Sequence, residues 1–495
     1  MRLRVLRVSV VNRVLEFFSG LASHNSSGIT NWLDSAGQDW RLNIGSREMQ
    51  RVELEFRLTH WRMEPMSTAK NISNNPSAGG MDRREFVKSA TAATAGLLLV
   101  SPEIAFGSRA NSTPQLGMIG CGGRGTSVSE AFVTRAGVRL HALGDLFQDQ
   151  LDKAKAKLDE LNQSQGHATI DASKMFKGPR SCNELVSSDV DIVLISTPPY
   201  FHPEHLELAV AAKKHIYLEK PVATDVQGCK KIQELGKKVE GKQSVHVGFQ
   251  IRFSPEYREL TRRIQEGAIG DIACAQGYYL AGDLPRKAKP GMSPLEAKIR
   301  DWAFDRVLSG DVLVEQNIHI IDWINWVLKA RPERVMATAG RKVRTDIGDV
   351  QDHFLTIYRY PGDVRVGFQS TQFLTKWADV CLRFFGSKGY AEAHYNGNVF
   401  IRGTNEWQAE PPPPTAEKQK PEVDPLSEAT PEKVKAFVES IQSGQFHNQL
   451  DQGAESTLSA ILGRQASYEG KEMTWDHLVK SNQHWKTDVE LEKLT

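Results

Sequence analysis

Residues 115–145 read QLGMIGCGGRGTSVSEAFVTRAGVRLHALGD. A short apolar run at 116–119 leads into Gly120-Cys121-Gly122-Gly123-Arg124-Gly125, a G-x-G-x-x-G. A helix-compatible segment follows, with Val128, Ala131 and Phe132 on one face, and a second apolar run at 138–143 ends in Gly144-Asp145. Strand, glycine turn, helix, strand and a carboxylate twenty residues past the last glycine are the parts of a dinucleotide-binding unit. Gly120 is expected to let the chain turn sharply, Gly122 to let the backbone approach a pyrophosphate, and Gly125 to let the helix pack close to the sheet. Gly123 and Arg124 complete the loop, and free N–H groups at the helix start attract phosphate. Asp145 is placed to accept hydrogen bonds from both hydroxyls of an adenosine ribose, which favours NAD over NADP. The bland reading is a βαβ unit that binds nothing.

The alternation continues downstream. Residues 191–197 (DIVLIST) form an apolar strand without alternation, ending at Thr197-Pro198-Pro199 with His202 just beyond. Residues 203–214 read as a helix with Pro203 in its first turn. A strand at 215–218 ends in Glu219-Lys220-Pro221, Thr224 is the expected cap of a helix over 225–239, and a further strand runs over 244–249. Strand and helix in turn give an α/β class with a doubly wound parallel sheet. Ligands of such sheets lie at the carboxyl ends of the strands, where Gly120, Asp145, Thr197, Lys220 and Gln250 fall.

From Arg252 the pattern changes. A helix at 257–266 is followed by strand-like runs at 272–280, 334–343, 352–360, 364–371 and 380–386, several alternating as one-sided antiparallel strands do. Between them, residues 311–328 are expected to form one helix, and two more helices close the chain near 431–443 and 454–465. Residues 410–425, rich in proline and charge, read as a loop. The expected domains are a doubtful N-terminal extension (1–80), a signal region (81–112), a dinucleotide domain (113–250) and a substrate-binding and oligomerisation domain (251–495).

The signal region is expected from Arg83-Arg84-Glu85-Phe86-Val87-Lys88 directly before an apolar run at 90–100. Paired arginines, Phe and Lys before such a run form a twin-arginine export signal, and the run is too short to span a bilayer. Export through that machinery to the periplasm is the expectation, with Met66 or Met81 as alternative starts. The 495 residues exceed one ordinary domain, and 40% hydrophobic with 25% charged suits a soluble globular chain. A net charge of +2 gives no case for nucleic acid. The five cysteines show no C-x-x-C and no metal spacing, so no metal is expected.

Two stretches carry acid–base groups. Lys220 at a strand end points to the crevice where a nicotinamide would lie, or else forms a surface salt bridge with Glu219. Glu315 and His319 share a face at i, i+4 if the segment is helical, and a histidine is the usual base near neutral pH. A buried histidine satisfied by backbone is the alternative, and a metal pair lacks a third ligand.

The glycine motif, Asp145, STPP at 196–199, EKP at 219–221, GFQIRFSP at 248–255 and ExxxHxxD at 315–322 together resemble the glucose-fructose oxidoreductase / inositol dehydrogenase (Gfo/Idh/MocA) family, over roughly residues 114–480. The resemblance implies a Rossmann domain followed by an α/β domain with an open, largely antiparallel sheet. It implies oxidation or reduction of a sugar or cyclitol carbon with NAD or NADP, and a homo-oligomer is expected. Lys220 would then hydrogen-bond the reacting oxygen and His319 act as general base, with Thr197, Pro198, His202, Glu219 and Gln250 near the cofactor. Glu315 stands where the family usually has Asp, and Gln316-Asn317 where it has smaller residues. Those relatives that are NAD-dependent glycosidases usually lack an intact EKP. Such a glycosidase, or a sugar-binding relative without catalysis, are the alternatives.

Overall fold

The computed structural model describes residues 113–395, 397–410, 426 and 428–494. The expected extension, the twin-arginine region and most of the proline-rich loop lie outside the described residues.

The first sheet holds β1 (Gln115–Ile119), β2 (Arg139–Asp145), β3 (Met175–Lys177), β4 (Ile192–Ile195), β5 (His215–Leu218) and β6 (Val245–Val247). Its order is β3-β2-β1-β4-β5-β6, every pair parallel. Helices cover both faces, which is why β4, with the sequence IVLI, is buried at every position. They are α1 (Gly123–Arg135), α2 (Gln148–Ser164), α3 (Ser181–Val186), α4 (His202–Ala211) and α5 (Val226–Val239). The cap of α5 is Asp225, not Thr224. Its carboxylate accepts from Gly228 N at 2.7 Å, and a carboxylate at a helix start satisfies an orphan N–H and meets the positive end of the helix dipole.

After α6 (Pro255–Gln265) the chain enters a second sheet with β7 (Ile272–Gly282). A crossing follows through α7 (Pro294–Arg300), α8 (Arg306–Ser309), α9 (Val312–Glu315) and α10 (Ile318–Leu328). Then come β8 (Arg334–Gly340), β9 (His353–Arg359), β10 (Arg365–Leu374), β11 (Asp379–Gly386), β12 (Gly389–His394), β13 (Val399–Gly403) and β14 (Trp407–Gln408). Helices α11 (Ala429–Gln442) and α12 (Leu450–Glu469), a short β15 (Met473–Thr474) and α13 (Trp475–Ser481) complete the elements used below. The nine-stranded order is β14-β13-β12-β11-β7-β10-β9-β8-β15, antiparallel except for β7 beside β10. The α/β class with a parallel sheet and a second, largely antiparallel one is therefore what the chain folds into.

One face of the second sheet packs on helices. Trp323 of α10 is fully buried against Tyr257 and Phe384, and its Nε1 donates to Thr261 Oγ1 at 3.0 Å, so the large ring leaves no polar atom unpaired. The two sheets are joined by the C-terminal helices. Phe437 of α11 packs edge-on against Phe132 of α1 and Tyr217 of β5. Buried Arg464 of α12 donates to the carbonyls of Thr224 (2.7 Å) and Gly310 (3.0 Å). This fixes the end of the parallel sheet against the segment that carries α9 and α10.

Candidate active site

The glycine loop forms the floor of a cavity of about 380 Å³. Gly120 takes φ +89°, a conformation that favours glycine, and its N–H donates to Gly144 O at 2.8 Å. A Cβ at Gly125 would stand 2.3 Å from Ser196 Oγ and 2.4 Å from Gly120 O, so only glycine allows this approach of α1 to the strand ends. A Cβ at Gly122 would meet nothing within 4 Å. No side chain caps α1 and no acid lies in its first turn, so its first N–H groups are available to an anion. Asp145 stands beside the loop. Its Oδ2 accepts from Cys121 N (2.7 Å) and its Oδ1 from Phe147 N (2.9 Å). Burial pushes the carboxyl up, and these two N–H groups oppose the shift. Each oxygen keeps acceptor capacity for a further donor. Gly120, Gly122, Asp145, Thr197 and Pro198 all line the cavity. An open cradle, an uncapped helix start and a carboxylate at the second strand end fit a dinucleotide.

His202 lies behind that lining. Its ring nitrogens are 2.7 Å from Pro221 O and 2.8 Å from Thr197 O, and burial pushes its pKa down to about 4. It braces the ends of β4 and β5 against each other. Thr197 Oγ1 is 3.0 Å from Nδ1 of His205, a cavity-lining residue that sequence reasoning missed. Arg124 and Gln250 line a separate hollow with Tyr395.

The alternative, a surface pair between Lys220 and Glu219, does not form. Glu219 is buried and accepts from Arg124 Nε at 2.8 Å, while Gly248, where a Cβ would fall 2.5 Å from Glu219 Oε2, leaves room for it. Lys220 instead donates from Nζ to the main-chain oxygen of Glu315 (2.7 Å) and to its Oε1 (3.1 Å).

The single helix expected over 311–328 is broken, which corrects the i, i+4 reading. Asp311 takes φ +72° and its carboxylate accepts from Val312 N at 2.6 Å, starting α9 as a separate turn. Gln316 N and Asn317 N both bond to Val312 O at 3.0 Å, so the ladder slips by one residue before α10 begins. Glu315 is thereby directed to Lys220, and His319 falls in the first turn of α10. The His319 ring is partly open, but its Nδ1 is buried without a protein partner. Burial first, then the charges of Lys220 and Arg124, hold its pKa well below the usual histidine value. It is therefore neutral and proton-accepting at neutral pH.

Asp322, the last residue of ExxxHxxD, is structural. Arg252 grips it with Nε at 2.8 Å and a second nitrogen at 3.0 Å, and Ser456 Oγ donates to it at 2.7 Å. The pair locks α10, and with it His319, to the end of the parallel sheet.

Among the described residues, Cys381, Glu392 and His394 bring three metal-ligand atoms within 4.8 Å of one another. Those groups are already engaged: His394 contacts Asp379 (2.8 Å) and Glu392 (2.5 Å), and Arg383 Nε donates to Glu392 at 2.6 Å.

A parallel dinucleotide-type sheet joined to an open sheet, with lysine, carboxylate and histidine meeting where they join, defines a class of two-domain oxidoreductase folds. The family model described as "Oxidoreductase family, NAD-binding Rossmann fold" matches residues 115–249, and that described as "GFO/IDH/MocA C-terminal domain" matches 257–392. Together they span more than half of the chain, and the chain belongs to the GFO/IDH/MocA oxidoreductase family. It is 25% identical over 252 residues to an inositol 2-dehydrogenase of Acidothermus cellulolyticus, covering 51% of this chain and 64% of the relative. It is 28% identical over 220 residues to a glycosyl hydrolase family 109 protein of a Shewanella species, covering 40% of this chain and 46% of the relative. The chain thus spans less than two thirds of the length of either. The crystal structure of scyllo-inositol dehydrogenase from Lactobacillus casei with bound NAD(H) and scyllo-inositol has the same fold, with a TM-score of 0.56 at 20% identity, over 74% of this chain and all of the other.

Proposed function

We propose that the protein is an NAD-dependent oxidoreductase that removes hydride from a CH–OH carbon of a polyol, sugar or sugar derivative, or returns it to the corresponding carbonyl carbon. The observation that carries this reading is the ion pair of Lys220 with Glu315 close to a neutral, partly open His319 at the carboxyl ends of the parallel strands. Bound nicotinamide supplies the hydride acceptor. An ammonium has three N–H donors, and Glu315 takes two of those of Lys220, leaving one to polarise a substrate hydroxyl. His319 then takes the hydroxyl proton. A base of depressed pKa is a weak one, so the polarisation by Lys220 is needed for transfer. The imidazolium so formed lies near Lys220 and Arg124, which favours its release of the proton.

The inositol dehydrogenase relative supports a polyol substrate. Asp145 supports NAD over NADP, since a carboxylate there repels a 2′-phosphate. The Arg83-Arg84 motif supports export to the periplasm by the twin-arginine machinery. With little free nicotinamide expected outside the cell, the cofactor would stay bound and be regenerated in place. Exposed Met336, Leu355 and Ile357 on the open face of the second sheet support a homo-oligomer. The second reading, a glycosidase that cycles bound NAD, is favoured by the family 109 relative; intact Glu219-Lys220-Pro221 weighs against it. A panel of polyols, sugars and glycosides, followed by NADH fluorescence and product analysis, tests both. Aglycone release without net NADH would replace the first reading by the second, and silence on every CH–OH substrate would remove it. Export is tested with Arg83→Lys/Arg84→Lys, which should leave the protein in the cytoplasm.

A further inference from the structure

The wall of the 380 Å³ cavity opposite the glycine loop does not come from the parallel sheet. It comes from the segment between β7 and α8, which contributes Arg286, Lys287, Lys289, Met292, Arg300 and Trp302. This segment is built to hold a shape. Ser293 accepts from Glu296 N at 3.1 Å and Pro294 opens the first turn, so α7 has a defined start. Asp301 Oδ1 accepts from Lys287 N at 2.6 Å, and Arg286 stacks on Phe304 with 4.4 Å to the ring centroid.

One side chain joins this wall to the opposite one. Arg300, only 11% exposed, donates to both carboxylate oxygens of Asp149 at 2.7 and 3.2 Å. Its guanidinium lies 4.0 Å from the centroid of Phe147, and Glu296 accepts its Nε at 2.8 Å. Phe147 caps α2 and Asp149 lies in its first turn, directly after Asp145 at the end of β2. The C-terminal tail backs the latch. Trp485 N donates to Asp225 at 2.6 Å, Lys298 to Asp488 at 2.5 Å, and Leu491 lines the cavity.

We infer that residues 284–302 are a clamp on the adenosine half of the dinucleotide, latched to the Rossmann domain by Arg300 on Asp149 and Phe147, and that this clamp makes the cofactor a resident group. The inference rests on the dinucleotide reading above. Arg300 and Arg286 are already paired with carboxylates, whereas Lys287 and Lys289 on the same wall offer positive charge to the pocket, and the phosphates of a dinucleotide are the negative partner they fit. With the latch closed, release needs Arg300 to leave both Asp149 and Phe147.

The test is cofactor content and release. Full-length wild type, purified without added nucleotide, should carry about one NAD(H) per chain after gel filtration. Arg300→Ala and Asp149→Asn should each release bound NAD at least about tenfold faster in exchange against an etheno-labelled analogue, the scale of losing one bidentate charged contact. Joining Arg300→Asp with Asp149→Arg should restore slow release. Hydrogen exchange on the wild type gives an answer that needs no variant: amides of 284–302 should slow when NAD is bound. A wild type that does not bind NAD overturns both the clamp and the proposed activity. A wild type that holds NAD while the variants release it at the same rate, or while 284–302 exchange unchanged, overturns the clamp alone.

Discussion

The cavity over the glycine loop, proposed as the adenosine end, and the cluster of Lys220, Glu315 and His319, proposed as the reaction end, are made differently. The adenosine end is charged and held by exposed or half-buried ion pairs: Asp149 is pulled down to about 2, chiefly by the hydrogen bond from Arg300. The reaction end is drier. There the carboxylates of Glu219 and Asp322 are buried, each with an arginine, and the pKa of His319 is held well below the usual histidine value. Binding charge costs least where solvent still screens it, whereas moving a proton needs groups whose ionisation the surroundings control. On the proposed reading one end holds and the other reacts, and substitutions should separate the two functions.

The largest effect expected is at the reaction end. His319→Ala should lower kcat by roughly 10²-fold or more, the scale of losing a general base, while NAD content stays that of wild type. Single-turnover kinetics with a cofactor assay on the same sample measure both. Near-normal turnover on the true substrate would take the base role from His319. Next is the brace behind it. Asp322→Ala removes the buried carboxylate of a pair whose arginine is half-buried, and breaking a buried pair costs about 3–5 kcal/mol. Chemical denaturation should show the loss, and an unchanged midpoint would mean that α10 is held by its apolar packing alone.

A smaller effect is expected at the adenosine end. Asp145→Ala removes the carboxylate that would meet a 2′-phosphate. It should narrow the NAD preference over NADP by about tenfold, one charged hydrogen bond's worth. Calorimetry with both cofactors measures this. Equal affinities in the wild type would show that Lys287 and Lys289 already offset Asp145.

The same division decided what could be read from the sequence. The glycine loop, Asp145 and the strand ends were legible because their signals are local: one turn, one helix start, one apolar run. Lys220 and His319 were legible as types at strand and helix positions. Their partners were not, because whether Glu315 faces His319 or Lys220 depends on a one-residue slip at Gln316-Asn317 that no periodicity reports. The pairs Arg252–Asp322 and Arg300–Asp149 join residues 70 and 151 positions apart and leave no trace in spacing. Helix α7 is a different case. Ser293-Pro294-Leu295-Glu296 is an N-cap, a first-turn proline and a capping-box acid, so its start was written locally and only its shortness hid it.

The mildest test is pH. In the proposed role His319 acts only when neutral, and burial, then Lys220 and Arg124, hold its pKa well below the usual value of 6.5. A base with a lowered pKa is active above that pKa and lost as pH falls through it. The acid limb of kcat/KM should therefore lie below pH 6.5, with activity nearly flat from pH 8 to about 6.5 as far as this group is concerned. Removing one of the neighbouring charges should move the limb in a stated direction. Arg124→Gln takes away a cation near His319, so its pKa should rise and the acid limb should shift toward neutral pH. Because Arg124 also pairs with Glu219, Arg124→Lys serves as the control that keeps the charge and should leave the limb nearer its original place. Profiles of kcat/KM from pH 5 to 8 for the three proteins decide it. A limb that stays put in Arg124→Gln would show that burial and Lys220, not Arg124, set the ionisation of His319, and the contrast between the two regions would then rest on desolvation and on the lysine rather than on the Glu219-paired arginine.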